Sequence, residues 1–188
     1  LLSAFLDLGL PENFLPKQIK LLGIENILDF NIYEDKSYGL RGLKHSINLT
    51  SPKEFDRSWR GIKQLITNSS LSIPVREKVL EVFEVLAKAE ACVHASKLDE
   101  VHFHEVGSIE SVINIVGVCA FIDYLKPGRI YCVIPPVGAG NVKTSHGILP
   151  IPVPTVLEIA RARRVPLLGG GEFNNVELTT PTGIALIS

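Results

Sequence analysis

Several features that mark particular classes of protein are missing from this sequence. There are 19 lysines and arginines against 20 aspartates and glutamates, so no basic excess indicates binding to nucleic acid or to an anionic membrane surface. No run of about 18 uncharged apolar residues is present, which excludes a membrane-spanning helix. The longest apolar stretch, Val112 to Leu125, is interrupted by Asn114 and Asp123 and indicates a buried helix. Neither nucleic acid nor a membrane is therefore an expected partner.

Methionine is also absent, even at position 1, and the chain begins and stops inside apolar helical patterns without a cap or a polar tail. We therefore expect both ends to be cut relative to the natural protein. The first ten residues have no basic region and no cleavage site, so they do not resemble a signal peptide. Cysteines are few and widely spaced, with no CxxC motif, which predicts buried, reduced thiols and a cytoplasmic location. They are Cys92, Cys119 and Cys132.

Hydrophobic periodicity predicts an α/β fold, with α+β as the alternative: small mixed sheets, a central buried helix and flanking helices. Residues alternate in character from Ile27 to Glu34 and from Leu43 to Leu49, which predicts an antiparallel pair of strands. The segment from Ile109 to Leu125 is apolar nearly all round and predicts the central helix. A short buried strand is predicted from Ile130 to Ile134.

Two parts are expected along the chain, with a boundary near Asn68 to Ser72. Residues 1–68 form a small α/β part. Residues 69–188 form a core in which a His-Phe-His-Glu segment lies between two helices and is followed by strands and loops rich in glycine and proline.

Four of the five histidines lie between residues 94 and 146, and they make the strongest case for chemistry. His102 and His104 flank one residue and are expected on one face of an extended segment, where two imidazoles can approach one ion. His94 ends the preceding predicted helix, and Glu110 falls in the first turn of the buried one. We therefore predict a metal site formed by His94, His102, His104 and Glu110, with His104 and Glu105 as acid–base groups.

Structural explanations compete with this hypothesis. An HxH pair is often only a pair of surface strand residues, and Glu110 could act only as a helix cap. Asn114 could be a satisfied buried amide. A carboxylate and an amide on one stripe of an apolar helix are nevertheless costly unless they are paired, and this favours function modestly.

Glycine-rich loops offer a second, weaker candidate site, for an anion or a cofactor. Gly138 and Gly140 flank one residue, and Gly169 to Gly171 form a further loop. Thr180, Thr182 and Gly183 precede a predicted helix, where backbone N–H groups can bind a phosphate, and His146 could add a basic group. Turns and caps explain these residues equally well, and no phosphate-binding or dinucleotide motif is matched.

These segments resemble the LarC family, the nickel-insertion proteins of nickel-pincer cofactor biosynthesis. The resemblance covers nearly the whole chain and is carried by the following motifs: Glu-Val-His-Phe-His-Glu-Val-Gly at residues 100–107, Ser111, Ile-Val-Gly at 115–117, Val-Gly at 137–138, His-Gly-Ile-Leu-Pro-Ile-Pro at 146–152 and Glu-Leu-Thr-Thr-Pro-Thr-Gly at 177–183. Glu110 and Asn114 stand where family members usually carry aspartate.

The resemblance implies a concrete function. Members insert nickel into pyridinium-3,5-bisthiocarboxylic acid mononucleotide, forming nickel–sulfur and nickel–carbon bonds in a reaction that consumes CTP. It implies a CTP-dependent cyclometallase of the lyase class, with nickel handled by this part of the protein. CTP and a divalent cation would bind a C-terminal domain that these residues do not include, so this piece alone is expected to be inactive. A homo-oligomer is expected.

Two other interpretations stay open at this point. One is a metal-independent enzyme that binds a phosphate ester or a nucleotide through His102, His104 and His146. The other is an oligomerisation module whose helix from Ile109 to Leu125 packs on a partner. Metal content and chelator sensitivity would separate these from nickel handling.

Overall fold

A computed structural model describes residues 1–50, 55–104, 106–169 and 173–188. Over these residues the chain forms seven α-helices and six strands, which confirms the predicted mixture of helix and strand. The helices are α1 (Leu2–Asp7), α2 (Phe14–Leu22), α3 (Trp59–Asn68), α4 (Ile73–Val93), α5 (Ile109–Leu125), α6 (Pro154–Arg163) and α7 (Pro181–Ile187). The strands are β1 (Leu28–Ser37), β2 (Leu40–Leu49), β3 (Gly138–Ala139), β4 (Asn141–Thr144), β5 (Gly147–Pro150) and β6 (Val176–Glu177).

The described residues divide into two compact units, and neither is a single stretch of the chain. The first contains residues 1–57, 61–80 and 108–127, and the second contains residues 58–60, 81–107 and 128–188. The division of the chain into parts 1–68 and 69–188, which the sequence analysis gave, stays a prediction.

Helix α5 forms the core of the first unit. Its predicted bounds are confirmed, and the hydroxyl of Ser108 caps it by accepting a hydrogen bond from the backbone N–H of Ser111. Ten of its residues are buried because α1, α2 and β2 all pack against it. The rings of Phe5 and Phe121 stack with their centroids 4.2 Å apart. A helix that is apolar on every side requires such complete cover.

The predicted antiparallel pair is a hairpin in the first unit. Strands β1 and β2 pair from Leu28 opposite Leu49 to Ser37 opposite Leu40. Two residues make the turn, Tyr38 and Gly39, and both have positive φ angles, +50° and +81°. This geometry matches the right-handed twist of the strands, and glycine adopts it without strain.

In the second unit, α4 contacts the segment from Val101 to Phe103 through the rings of Phe83 and Phe103, and it contacts α6 through the hydrogen bond from Thr155 to Glu90. Helix α6 in turn packs on α7. The largest fully buried side chains of this unit include Phe83, Phe103, Ile159 and Ile184. Two short antiparallel pairings also belong to this unit: β3 pairs with β6 over two residues, and β4 pairs with β5 over four.

Some local predictions were wrong. Residues 130–134 form no strand within the described part of the chain, and Tyr131 and Val133 are 82% and 84% exposed. High β-propensity measures the fit to a half-buried pleated surface, which this segment lacks here. Only Cys119 is buried, whereas Cys92 and Cys132 are exposed. Of the helices within the described ranges, none is long and apolar enough to cross a membrane.

Candidate functional site

Three histidines from separate stretches of the second unit come together as a cluster, which we call the histidine cluster: His94, His104 and His146. Each offers a ring nitrogen, and these atoms all lie within 4.8 Å of one another. The ring centroids are 4.7 Å apart for His94 and His146, 4.5 Å for His104 and His146, and 5.9 Å for His94 and His104. All three residues are exposed.

His94 is positioned by the last turn of α4. Its backbone N–H donates to the carbonyl of Glu90, and the helix stops immediately afterwards because Ala95 takes a positive φ of +49°. The ring therefore projects from the end of a long helix, and the backbone that carries it is regular and well fixed.

His104 follows a segment that is anchored by alternate side chains. Val101 and Phe103 are buried, 3% and 2% exposed, while His102 and His104 are exposed, as their alternation predicts. The Phe103 ring packs on Phe83 with a centroid distance of 6.1 Å. These contacts direct His104 outward from a fixed backbone.

His146 lies in the two-residue turn of the β4–β5 hairpin, between Thr144 and Gly147, which are opposite one another. Its backbone N–H donates to Oγ1 of Thr144, and that hydroxyl donates to the carbonyl of Gly147, both at 3.1 Å. Gly147 has a φ of +93°, which glycine allows without strain. A tight, internally bonded turn thus presents the third imidazole.

Beside the histidine cluster is a cavity of about 190 Å³. Its lining combines the three imidazoles with apolar groups such as Leu149 and Val153, and with the polar side chains of Glu90 and Thr155. Both polar residues are buried, at 8% exposure each. The sequence analysis did not identify either of them. Glu90 lies seven residues after Phe83, on the apolar stripe of α4. A carboxylate on this apolar stripe is the sequence feature that could have identified the residue.

Of the other residues predicted to bind the metal, neither His102 nor Glu110 is part of the histidine cluster. His102 is exposed and forms a backbone bridge with Ser58. Glu110 belongs to the first unit, where it is exposed in the first turn of α5. Glu105, Gly170 and Gly171 fall outside the described residues.

The glycines and threonines predicted to bind an anion have local structural roles. A Cβ on Gly138 would lie 1.9 Å from the carbonyl oxygen of Val176, and one on Gly140 would lie 2.4 Å from Oδ1 of Asn175. These glycines therefore permit close approach of two chain segments. Thr180 caps α7 by accepting a hydrogen bond from the N–H of Gly183, and Thr182 lies within that helix.

Three imidazoles suit nickel, zinc, copper or iron. Three nitrogens bound to one ion at about 2.1 Å in a tetrahedral arrangement lie about 3.4 Å apart. The ring nitrogens, which lie within 4.8 Å of one another, would therefore need to close by up to about 1.4 Å to share an ion, and rotation of exposed side chains allows a movement of this size.

Comparison with known proteins identifies the family. The sequence pattern of the nickel insertion protein family matches residues 1–188. The chain belongs to the nickel insertion protein family. This confirms the family resemblance seen in the sequence motifs.

Individual members of the nickel insertion protein family support the assignment. The chain is 34% identical over 198 residues to the pyridinium-3,5-bisthiocarboxylic acid mononucleotide nickel insertion protein of Clostridium kluyveri, covering 100% of this chain and 49% of that protein. It is 40% identical over 185 residues to a Synechococcus sp. (strain JA-3-3Ab) protein named for nickel insertion, covering 98% of this chain and 46% of that protein. The chain thus spans about half the length of the curated relatives it matches. No solved structure matches it.

Proposed function

We propose that this chain holds nickel at His94, His104 and His146 and takes part in inserting it into pyridinium-3,5-bisthiocarboxylic acid mononucleotide. The observation that carries the proposal is the convergence of three imidazoles from separate stretches of the second unit. Family membership and the name of the Clostridium kluyveri relative supply the metal and the acceptor.

The geometry of the histidine cluster suits an ion that must leave. Three protein ligands leave further coordination positions open, and substrate sulfur atoms can occupy these during transfer. The three imidazole rings are exposed, so the acceptor can reach a bound ion without a rearrangement of buried residues. A closed site with four protein ligands would hold the metal permanently instead.

The neighbouring cavity suits part of the acceptor. At about 190 Å³ it is smaller than the roughly 300–1,000 Å³ of typical ligand pockets. We propose that it receives the planar pyridinium ring beside the histidines, while the ribose phosphate stays outside. Apolar groups such as Leu149 and Val153 would pack against the ring.

For the complete protein we propose the finer activity that the family resemblance implies, a CTP-dependent cyclometallase. CTP and its divalent cation would bind outside these 188 residues. Forming the nickel–carbon bond displaces a ring proton. The sequence analysis gave acid–base roles to His104 and Glu105, and an imidazole that binds nickel has no free lone pair, so Glu105 is the predicted acceptor. The predicted homo-oligomer likewise stays a prediction.

The histidine cluster is tested by calorimetric titration of Ni²⁺ into protein purified without a histidine tag. His94→Ala, His104→Ala and His146→Ala should each weaken binding at least tenfold, about 1.4 kcal/mol, because each removes one ligand. His102→Ala is the matched control: it removes an exposed imidazole from the same segment as His104 and should leave the affinity within about twofold.

Unchanged affinity in all three cluster variants would show that nickel binds elsewhere. A loss in His102→Ala as large as that in His104→Ala would favour the HxH pair predicted from the sequence. Insertion itself is tested in the complete protein, by mass spectrometry of the mononucleotide product with CTP and Ni²⁺ present. If conversion of the mononucleotide continues in the presence of a chelator and the product contains no metal, the metal-independent phosphate-ester enzyme is favoured.

A further inference from the structure

A buried carboxylate lies directly behind the histidine cluster. Glu90 is only 8% exposed, although it belongs to a residue type that is almost never buried without a partner. Its two oxygens have different partners: Oε1 accepts a hydrogen bond from Oγ1 of Thr155 at 2.9 Å, and Oε2 lies 3.3 Å from Nε2 of His94. Both of its oxygens are therefore used to connect a fixed point to the ring of His94.

Thr155 supplies the fixed point. It lies in the first turn of α6, 65 residues along the chain from Glu90, and is itself 8% exposed. Because both groups are buried, water does not compete for their hydrogen bond. The bond therefore restrains the carboxylate more strongly than a surface contact does. Helix α4 restrains the carboxylate from the other side, since Glu90 and His94 are four residues apart on one helix face.

The carboxylate contacts one ring nitrogen of His94 and leaves the other available. An imidazole binds a metal through one nitrogen while the second is oriented by a hydrogen-bond partner. Glu90 is not among the residues whose ligand atoms lie together in the histidine cluster, as far as the described residues show. Because Glu90 contacts Nε2 of His94, Nδ1 is the ring nitrogen that remains to bind an ion, and Glu90 is suited to hold the ring in place.

We propose that Glu90 is the positioning residue of the histidine cluster, held by Thr155 and holding His94 in the orientation that binds Ni²⁺. This rests on the proposed function, because it requires the cluster to be the nickel site. Outer partners of metal-bound histidines fix the ring and increase its basicity as a ligand, and their removal commonly weakens metal binding about 10-fold to 100-fold.

The test uses Ni²⁺ alone as the probe, titrated into wild-type chain and variants. Glu90→Gln keeps the size of the side chain and removes its charge, and it should weaken Ni²⁺ binding about 10-fold to 100-fold. Thr155→Val removes the hydroxyl that restrains the carboxylate and should weaken binding in the same direction. Thr155→Ser should restore it, because the serine hydroxyl can donate the same hydrogen bond.

A matched control lies on the same helix. Glu84 is also four residues before a basic partner, Lys88, but its side chain is 47% exposed and the contact is a surface ion pair. Glu84→Gln therefore makes the same chemical change without touching the histidine cluster. It should leave Ni²⁺ affinity within about twofold, as expected for a surface pair.

A spectroscopic measurement separates positioning from a general role in folding. Co²⁺ bound at saturation reports ligand geometry through its visible absorption, so Glu90→Gln and Thr155→Val should change that spectrum while circular dichroism stays native. If Glu90→Gln does not fold, the comparison of Thr155→Val with Thr155→Ser decides the question. Unchanged affinity and an unchanged Co²⁺ spectrum in the folded variants would overturn the proposal.

The proposed function fails differently. If His94→Ala, His104→Ala and His146→Ala all bind Ni²⁺ like wild type, the cluster is not the nickel site and the role of Glu90 there is overturned with it. If those variants lose binding while Glu90→Gln and Thr155→Val do not, the site stands and only the positioning role is wrong.

Discussion

Replacing Gly138 by alanine should destabilise the protein through a clash that a second glycine substitution does not share. Gly138 has a φ of +80°, and a Cβ there would lie 1.9 Å from the carbonyl oxygen of Val176. Gly147 has a similar φ of +93°, yet a Cβ there would meet nothing within 4 Å. Both alanines suffer the strain of a positive φ, and only one meets another strand.

The magnitudes follow from these two terms. Alanine at positive φ costs about 1–2 kcal/mol, and the loss of flexibility in the unfolded chain returns about 0.4–1 kcal/mol, so Gly147→Ala should cost about 1 kcal/mol. Forcing β6 away from β3 adds about 1–3 kcal/mol, typical of overpacking. Gly138→Ala should therefore cost about 2–4 kcal/mol in total.

Urea unfolding of the metal-free chain measures the difference. With a slope of about 1–3 kcal/mol per molar urea, an extra 2 kcal/mol lowers the midpoint by roughly 1 M at an unchanged slope. A difference of less than about 0.5 kcal/mol between the two variants would refute the reasoning, because exposed substitutions commonly scatter by that amount. The close approach of β3 and β6 would then not explain the glycine at position 138, and the anion-binding role predicted from the sequence would be the better explanation.

Two further predictions concern the first unit. Burial lowers the pKa of His45 below its ordinary value of 6.5, with the charge of Glu110 opposing the shift, so the unfolded chain binds the proton more readily. The resulting stability is present above pH 6.5 and is lost as the pH falls through and below that value. Urea unfolding at pH 7.5 and pH 5 should show a smaller pH dependence for His45→Gln, and an equal one would contradict this. Ser108→Ala should cost about 1 kcal/mol in the same assay by removing the cap of α5, whereas a neutral result would show that the cap is dispensable.

The sequence analysis correctly predicted several features that depend on local pattern. The bounds of α5 follow from its apolar character, and the hairpin of β1 and β2 follows from the alternation of residues along its two strands. The alternation of buried and exposed residues from Val101 to His104 was also readable from the sequence. Each of these features is set by neighbours within a few positions.

Features that depend on distant contacts were predicted only in part. The sequence analysis placed His94 and His104 in one metal site with His102 and Glu110, and it assigned His146 to the anion or cofactor site. The structure groups His94, His104 and His146. His146 is 42 residues along the chain from His104, and nothing in local spacing indicates that the β4–β5 turn comes to the end of α4. The strand predicted at residues 130–134 failed for the same reason, since a strand needs a partner that local propensity does not supply.

The contrast in burial across the site links its structure to its proposed chemistry. The three imidazoles are exposed, whereas Glu90 and Thr155, the groups that hold one of them, are buried. Exposed ligands favour release of the ion, because the acceptor and water can reach it. Exposed side chains that rotate freely, however, lose conformational entropy each time they bind the ion. A buried carboxylate that orients His94 in advance reduces that cost without adding a fourth ligand. A delivery site can thus bind nickel firmly enough to collect it and still leave it open to transfer.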